Sequence, residues 1–145
     1  MPQTPTTHQT PTEVVQAFVA AINATDPARI RSCMTEDHTF TDALGSSFSG
    51  AAKMQLGWQH FLHAYPGYQI TVKQTFTDGN HVALFREASG GWRVDDEVLS
   101  EKWTVSAAWL AAVENHKIKH WTVFCDTTWV HPPAKHPPKP APREQ

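Results

Sequence analysis

Several features that indicate a function directly are missing from this chain of 145 residues. Lysine and arginine total 12 against 14 acidic residues, and the net charge of −2 comes without a basic stripe. This balance argues against nucleic acid and anionic membranes as partners. No run approaches the ~18 apolar residues of a membrane-spanning helix. Residues 1–10 also lack the basic and apolar parts of a secretion signal. The sequence therefore predicts a cytoplasmic protein.

Cysteine is scarce as well. Cys33 and Cys125 each stand alone in apolar surroundings, with no CxxC or Cys/His zinc spacing. Two buried free thiols are the expected state, and a disulfide between them is the open alternative. The chain has no phosphate-binding loop, dinucleotide glycine pattern or Ser/His/Asp order. We therefore expect neither a cofactor nor covalent catalysis.

The chain does contain enough apolar material for one folded domain. Hydrophobic residues make up 40% of it, including 6 Trp and 7 Phe, which is typical of globular proteins. Residues 1–9 are a polar Pro/Thr leader. Residues 131–145 are a tail whose prolines are unsuited to a helix or a sheet. The folded domain is therefore predicted over residues 10–130.

Hydrophobic periodicity predicts three helices. Thr10-Pro11-Thr12-Glu13 has the form of a capping box, and apolar residues then recur at helical spacing as far as Ile22. Asp26-Pro27 starts a second, short helix in the same way. A third helix is predicted over residues 51–65. Its apolar face carries Met54, Trp58, Phe61, Leu62 and Tyr65.

Alternating apolar and polar residues predict strands in the rest of the domain. Residues 38–45 form a short strand that ends in the carboxylate of Asp42, followed by a glycine turn and a second short strand. Longer strands are predicted over residues 68–76, 81–88, 103–113 and 118–130, with a long loop over residues 91–101. This order predicts an α+β fold in which a curved antiparallel sheet wraps around the helices. The mouth of such a cone is a natural pocket for a small molecule.

In their order and spacing, these elements resemble the nuclear transport factor 2-like superfamily, in particular its SnoaL-like branch, which is related to ketosteroid isomerase. The likeness covers about residues 10–130. It is carried by VVQAFVAAINATDPARIRSCM, EDHTFTDALGSSFSG, GWQHFLHAYPGY, DGNHVALFREASG and AAWLAAVENHKIKHWTVFCD. The resemblance implies a cystatin-like α+β barrel that forms homodimers through the outer face of its sheet. It does not fix the activity, because this fold hosts both enzymes and non-catalytic modules.

The resemblance to ketosteroid isomerase places Asp42 at the position of the general base. That enzyme also has two oxyanion donors, and the matching positions here look like Phe18 and about Ala108. Neither side chain can donate a hydrogen bond, so steroid isomerisation with that oxyanion hole is not expected.

Resemblance to two other members of the superfamily indicates candidate catalytic residues on the later strands. Compared with limonene epoxide hydrolase, Arg86 and Asp126 look like two members of its triad, while the third falls near Ala88. Compared with SnoaL-like cyclases, residues 120–123 are similar to the segment before the catalytic aspartate, and Asp126 lies one residue later. A bulge would accommodate that offset.

Asp42, Asp126 and Arg86 are accordingly the predicted catalytic residues. Strand alternation groups Asp42 with Phe40, and Asp126 with Phe124. If both groups face the cone, the two carboxylates form an acid–base pair, and apolar walls would raise at least one pKa toward neutrality. The alternative is that Asp42 caps a turn and Asp126 lies in solvent.

Arg86 shares the strand parity of Val82 and Leu84, which predicts the inner face. There it would pair with a carboxylate or bind an anionic or carbonyl group. A slip in parity would instead expose Arg86 and bury Phe85. The residues predicted to bind substrate are Phe18, His38, Phe40, Trp58, Tyr68, Leu84, Ala108 and Phe124.

Two main hypotheses follow. The first is a cofactor-independent enzyme of isomerase, cyclase, hydratase/dehydratase or hydrolase type that acts on a small hydrophobic, carbonyl-bearing molecule. The second is a non-catalytic ligand-binding or dimerisation module. A third would use His60 and His63, three residues apart on one helix, as metal ligands. Because no third ligand is evident, no metal is predicted.

Overall fold

The computed structural model describes residues 9–133. The predicted leader and tail lie outside the described residues except for residue 9 and residues 131–133. The predicted α+β class is confirmed. The elements in chain order are α1 (Pro11–Asn23), α2 (Pro27–Ser32), β1 (Met34–Thr41), β2 (Ser47–Ser49), α3 (Ala51–Ala64), β3 (Gln69–Asp78), β4 (His81–Val94), β5 (Glu97–Glu114), β6 (Lys117–Cys125) and a 3-10 turn, η1 (Thr128–Val130).

All six strands form one sheet in the order β2-β1-β6-β5-β4-β3, so the sheet is open, with edges at β2 and β3. The antiparallel order of β3 to β6 is as predicted, whereas β1 pairs in parallel with β6. Register shifts between Val72 and Gln74 and between Gly91 and Arg93 mark irregular pairing. Such irregularities bend and twist the strands. The sheet therefore curves around the helices.

The N-terminal helices form where their capping signals indicate. Thr10 and Glu13 make both hydrogen bonds of the capping box, at 3.2 and 2.9 Å. The Asp26 carboxylate accepts from the Arg29 N–H at 3.1 Å and starts α2. The buried face of α1 is the predicted one, with Val14, Val15, Phe18, Ala21 and Ile22. None of the helices within the described residues is long and apolar enough to cross a membrane.

The prediction of a loop over residues 91–101 is wrong. β4 continues to Val94 and β5 begins at Glu97, so the connection is a two-residue turn. Asp95 and Asp96 both have positive φ, 52° and 65°. This conformation matches the twist of a hairpin, and short polar side chains such as aspartate tolerate it better than most. The turn was missed because it lacks the glycine or asparagine that usually occupies it.

The predicted last strand is too long. β6 ends at Cys125, and η1 follows after Asp126 and Thr127. The Asp126 carboxylate accepts a hydrogen bond from the Thr128 N–H at 2.8 Å. A side chain that bonds the backbone two residues ahead favours a turn over a strand. The chain therefore leaves the sheet here and packs Trp129 against α3 and β5.

Candidate functional site

A pocket of about 450 Å³ lies between α3, the concave face of the sheet and the segment of residues 127–130. Its buried end, which we call the pocket floor, is formed by Tyr68, Ala88, Trp109 and Trp121. Its more exposed end, the pocket rim, is formed by Asp42, Leu44, Phe48 and Lys53. Nearly all of the lining is apolar, and much of it is aromatic. Such a surface suits a flat hydrophobic molecule.

Trp58 makes several aromatic contacts on the side of the pocket that α3 forms. Its ring centroid lies 6.3 Å from Phe40, 5.6 Å from Phe61 and 6.4 Å from Tyr68. Two of these contacts are edge-to-face, an arrangement that aromatic pairs favour. The helical spacing of Trp58, Phe61 and Tyr65 turns all three toward the pocket, as the periodicity of α3 predicts.

The sheet supplies the opposite wall through alternate residues of β5 and β6. Trp109 is the cross-strand partner of Val123, and Cys125 is the partner of Ala107. Trp109, Val123 and Cys125 all line the pocket. Because side chains alternate along a strand, the residues between them face outward.

Residues 127–130 close one side of the pocket. Trp129 stacks on Trp103 with centroids 4.0 Å apart, and its carbonyl oxygen accepts from Trp92 Nε1 at 2.8 Å. The Tyr65 hydroxyl donates to the carbonyl of Val130 at 3.1 Å. These contacts fix residues 127–130 as one wall of the pocket. The sequence analysis did not identify this wall because it assigned these residues to the last strand.

Asp42 lines the pocket rim just beyond the end of β1. Its Oδ1 accepts hydrogen bonds from the N–H groups of Leu44 and Ser46, both at 2.9 Å. The carboxylate thus caps the turn that leads to β2 and also borders the pocket. Lys53 borders the same rim, so the charged groups that line the pocket gather at its open end.

Asp126 does not share this pocket, and the expected carboxylate pair is absent from the described residues. It lies beyond the inward-facing Cys125 and is exposed. The hydrogen bonds it accepts from Thr128 hold the pKa of Asp126 below its usual range. The error came from the assumed face of β6, whose inward residues are Val123 and Cys125 rather than Phe124.

Arg86 also does not line the pocket. Its neighbours in parity, Leu84 and Ala88, are buried as expected. The Arg86 side chain is nevertheless 61% exposed, and its Nε lies 3.8 Å from Glu87 Oε1. A long arginine stem can start from an inner position and carry its charge into water.

Three of the predicted substrate-binding residues, Phe40, Trp58 and Tyr68, do line the pocket. Phe18 and Leu84 are buried in the core and do not line it.

Ala108 and Phe124 were expected to face the pocket, and that expectation is wrong. They are cross-strand partners on the outer face of the sheet. Trp109 and Val123, their neighbours along the chain, hold the inward positions.

His38 is fully buried in the core and does not line the pocket. Its Nδ1–H donates to the Ile118 carbonyl at 2.9 Å, and its ring lies 6.2 Å from Phe18. Burial holds the pKa of His38 below its ordinary value. The hydrogen bond to Ile118 acts in the opposite direction, and His120 and Asp37 have smaller and opposing effects on that pKa. His38 is therefore a neutral core residue.

Stability should consequently fall as the pH drops through the ordinary histidine range. The unfolded chain binds a proton at His38 near pH 6.5, whereas the folded chain resists it to lower pH. We expect the free energy of unfolding to fall by up to ~1.4 kcal/mol per pH unit below that value. His38→Gln should flatten this part of the profile in urea titrations from pH 7 to 5. An unchanged slope in the variant would contradict the burial of a neutral His38.

His60 and His63 line a separate, more open groove with Arg93, whose Nε donates to the His63 carbonyl at 2.9 Å. Across residues 9–133, no cluster of three or more His, Cys, Asp or Glu side chains could hold a metal ion. Cys33 and Cys125 are both free thiols, and burial raises the pKa of each.

The open sheet wrapped on helices and the aromatic pocket between them are the features of the nuclear transport factor 2-like class of folds. Within that class, residues 15–121 match the family model of the SnoaL-like domain. The chain belongs to the SnoaL-like domain family. No curated protein matches it.

Solved structures agree on the fold. A nuclear transport factor 2-like protein from Burkholderia thailandensis is 21% identical, with a TM-score of 0.70 over 84% of this chain and 95% of that one. A protein of ketosteroid isomerase-like fold from Catenulispora acidiphila, in complex with trimethylamine, is 24% identical, with a TM-score of 0.64 over 80% and 86%. A protein from Jannaschia sp. CCS1, provisionally named a SnoaL-like polyketide cyclase, is 13% identical, with a TM-score of 0.72 over 90% and 94%. At these identities the likeness establishes the fold alone.

Proposed function

We propose that this SnoaL-like domain binds a small, flat, hydrophobic molecule that carries a carbonyl group. The observation that carries the proposal is the aromatic pocket of about 450 Å³. Its volume lies within the range of ~300–1,000 Å³ found for ligand sites. Burying apolar ligand surface contributes roughly 25 cal/mol per Å², so even a two-ring molecule would gain substantial affinity.

The proposal is also supported by the arrangement of the polar groups. Charged side chains border the pocket at the rim, through Asp42 and Lys53, whereas the floor is neutral. A ligand with an apolar body and few polar atoms fits such a site better than a highly charged one, because a charge buried without a partner is costly. The relative from Catenulispora acidiphila, solved with trimethylamine, shows that a protein of this fold can hold a small organic molecule.

The tryptophans provide a test that needs no mutation. An NMR titration with 1-indanone, a two-ring ketone, would follow the indole N–H resonances of the 6 Trp. We expect the largest shifts at Trp58 and Trp109, which line the pocket. Trp92, which lies outside the pocket and donates to the Trp129 carbonyl, is the internal reference.

Acid–base catalysis in the same pocket is the second candidate function. It is favoured by the position of Asp42, whose carboxylate borders the pocket while Oδ1 is held by two backbone N–H groups. In this scheme Oδ2 of Asp42 is the general base. It removes a proton next to the ligand carbonyl, as an isomerase, cyclase or dehydratase would require, or takes a proton from the attacking water, as a hydratase or hydrolase would require. Asp126 and Arg86, which lie outside the pocket, have no direct part in it.

We also propose that the chain forms a homodimer through the outer face of its sheet. Two rows of side chains cross this face from β3 to β6. One row is Phe76, Ala83, Leu110 and Thr122, and the other is Gln74, Phe85, Ala108 and Phe124. We call them the outer rows. Their large members, Phe76, Phe85, Leu110 and Phe124, are exposed despite being apolar. A contiguous exposed apolar surface of this kind often marks an interface.

A cytoplasmic location is proposed as well. Its support is that Cys33 and Cys125 are unpaired, the usual state in a reducing compartment. Fractionation of the producing cells tests it, and recovery of the protein in a secreted fraction would contradict it.

A further inference from the structure

The side of the pocket that α3 forms contains a buried hydrogen-bond donor without an acceptor. Trp58 is only 5% exposed and lines the pocket. Within residues 9–133, its Nε1 is buried and has no hydrogen-bond partner. An indole N–H is a donor only, so its partner must be an acceptor. A buried donor without an acceptor is unfavourable, and a ligand that supplied one would remove that cost.

The aromatic rings around Trp58 do not satisfy this donor. They include Phe61, Phe40 and Phe18, with centroids at 5.6, 6.3 and 6.5 Å. A phenylalanine side chain has no oxygen or nitrogen, and an N–H that points at a ring makes only a weak bond. The ring of Tyr68 lies at 6.4 Å, but its hydroxyl makes no hydrogen bond to Trp58 Nε1. A carbonyl oxygen would be a stronger acceptor than any of these rings.

Trp58 lies between the rim and the floor of the pocket. Lys53 of the rim precedes it by five residues on α3, which corresponds to about 7.5 Å along the helix. Its ring contacts Tyr68 of the floor and Phe40 on β1, the strand that leads to Asp42. An oxygen bound at Trp58 therefore leaves the floor to the apolar part of a ligand.

The surroundings of Trp58 can adjust to a ligand. Its Nε1 is covered in this structure, so the indole must rotate slightly toward the pocket when an oxygen binds. Met54 lies one helical turn before Trp58 and also lines the pocket, and methionine side chains adapt easily to a new shape. Gly57 lines the pocket beside them. The nearest atom to a Cβ added at Gly57 would be Met54 Cε at 3.7 Å, an ordinary contact.

Trp129 carries another unpartnered indole among the residues that line the pocket. Its ring stacks on Trp103 at 4.0 Å and contacts Tyr65 at 4.9 Å. Neither neighbour lies on β1, the strand that leads to Asp42. Trp58 is therefore the donor better placed for a ligand on which Asp42 acts.

We propose that the indole N–H of Trp58 binds the carbonyl oxygen of the ligand and makes the pocket favour ketones over hydrocarbons of the same shape. The proposal rests on the proposed ligand-binding function and adds to it the identity of the recognising group. The apolar rings of the ligand point toward the floor. The hydrogens next to the carbonyl then lie toward the rim, where Asp42 would remove one of them as the general base.

The first test uses the wild type and compares 1-indanone with indane, which has the same fused rings and lacks the oxygen. An N–H that gains a strong acceptor moves its proton resonance downfield. We expect 1-indanone to move the Trp58 Nε1 proton downfield relative to indane, while the Trp129 indole proton responds alike to both probes. No difference between the probes at Trp58, or a downfield shift at Trp129 instead, would overturn the assignment.

The second test removes the donor and keeps the shape of the side chain. Trp58→3-benzothienylalanine replaces the ring N–H by sulfur and retains the two fused rings. It should lower the ratio of 1-indanone affinity to indane affinity by about tenfold, the effect of one hydrogen bond made by a buried donor. Because both probes have the same rings, a change in packing affects both affinities and cancels in the ratio. An unchanged ratio would overturn the proposal.

The same replacement at Trp103 is the matched control. Trp103 lies outside the pocket, and its Nε1 donates to the Gly91 carbonyl at 2.8 Å. Trp103→3-benzothienylalanine should keep the affinity ratio and unfold at a lower denaturant midpoint, because a buried hydrogen bond is lost. The Trp58 variant should keep the wild-type midpoint, since no hydrogen bond is lost there. An equal fall in midpoint in both variants would show that the Trp58 N–H is structural and would contradict the proposal.

The outcomes separate the recognising group from the binding function. If both probes bind and the ratio is the same in the wild type and the Trp58 variant, the Trp58 donor is overturned and the pocket stands as the ligand site. If neither probe binds, both the donor and the proposed function are contradicted. A downfield shift at Trp58 in the wild type, together with a lower ratio in the Trp58 variant alone, supports Trp58 as the carbonyl donor.

Discussion

Asp42→Asn is expected to slow proton exchange on a bound ketone by about 10²- to 10⁴-fold, the usual contribution of a positioned base. Asparagine keeps an oxygen that can accept from the Leu44 and Ser46 N–H groups, so the turn should survive. What it lacks is basicity. The measurement is exchange of the hydrogens next to the carbonyl of 1-indanone for deuterium in D₂O, followed by proton NMR.

The same chain offers a matched control for this substitution. Asp126 is also a carboxylate that accepts a backbone N–H, from Thr128, but it lies outside the pocket. Asp126→Asn should therefore leave the exchange rate within about twofold of the wild type, since surface changes of this kind have small effects. An equal loss in both variants, or no acceleration by the wild type, would contradict acid–base catalysis by Asp42 and leave ligand binding as the function.

Phe124→Glu is expected to weaken dimerisation by about 10²- to 10³-fold. The side chain belongs to the outer rows and is 54% exposed in the isolated chain. In a two-fold dimer each substitution acts twice, and burying a carboxylate among apolar groups is costly. Sedimentation velocity over a concentration series should show a dimer for the wild type and a monomer for the variant at the same concentration.

Val98→Glu controls for charge and exposure in this experiment. Val98 is 56% exposed, also apolar, and lies outside the outer rows. We expect Val98→Glu to remain a dimer. A monomeric wild type, or dissociation by Val98→Glu and not by Phe124→Glu, would show that the outer rows are not the interface.

Much of the fold could be predicted because its signals are local. The Thr10–Glu13 capping box and the periodicity of α3 act within a few residues, and both helices form where these signals indicate. The hairpin turn at Asp95 and the turn at Asp126 that ends β6 were misread. One uses positive φ without glycine, and the other replaces the end of a strand with a capped turn. The hydrogen bond between Trp92 and Trp129 links the strand before the Asp95 turn to the segment after Asp126. Because these two residues are far apart in the sequence, local sequence patterns do not reveal the contact.

The site was only partly predictable, for a different reason. Trp58 and Tyr68 were identified because helix periodicity and strand alternation bring them inward. Trp109 and Cys125 were left out of the predicted binding residues because the face of β5 and β6 was chosen by likeness to relatives. The bulk of Trp109 in β5 and of Trp121 in β6 was the better signal, since the largest fully buried side chains occupy the concave face. The same shift of one residue moves Ala108, Phe124 and Asp126 away from the pocket.

The indole titration tests the central claim, that the aromatic pocket is the ligand site, most directly. Added 1-indanone should produce saturable shifts that are largest at Trp58 and Trp109, with little change at Trp92. Shifts that are largest at Trp92, or no shift at Trp58 and Trp109 at any accessible concentration, would contradict the account.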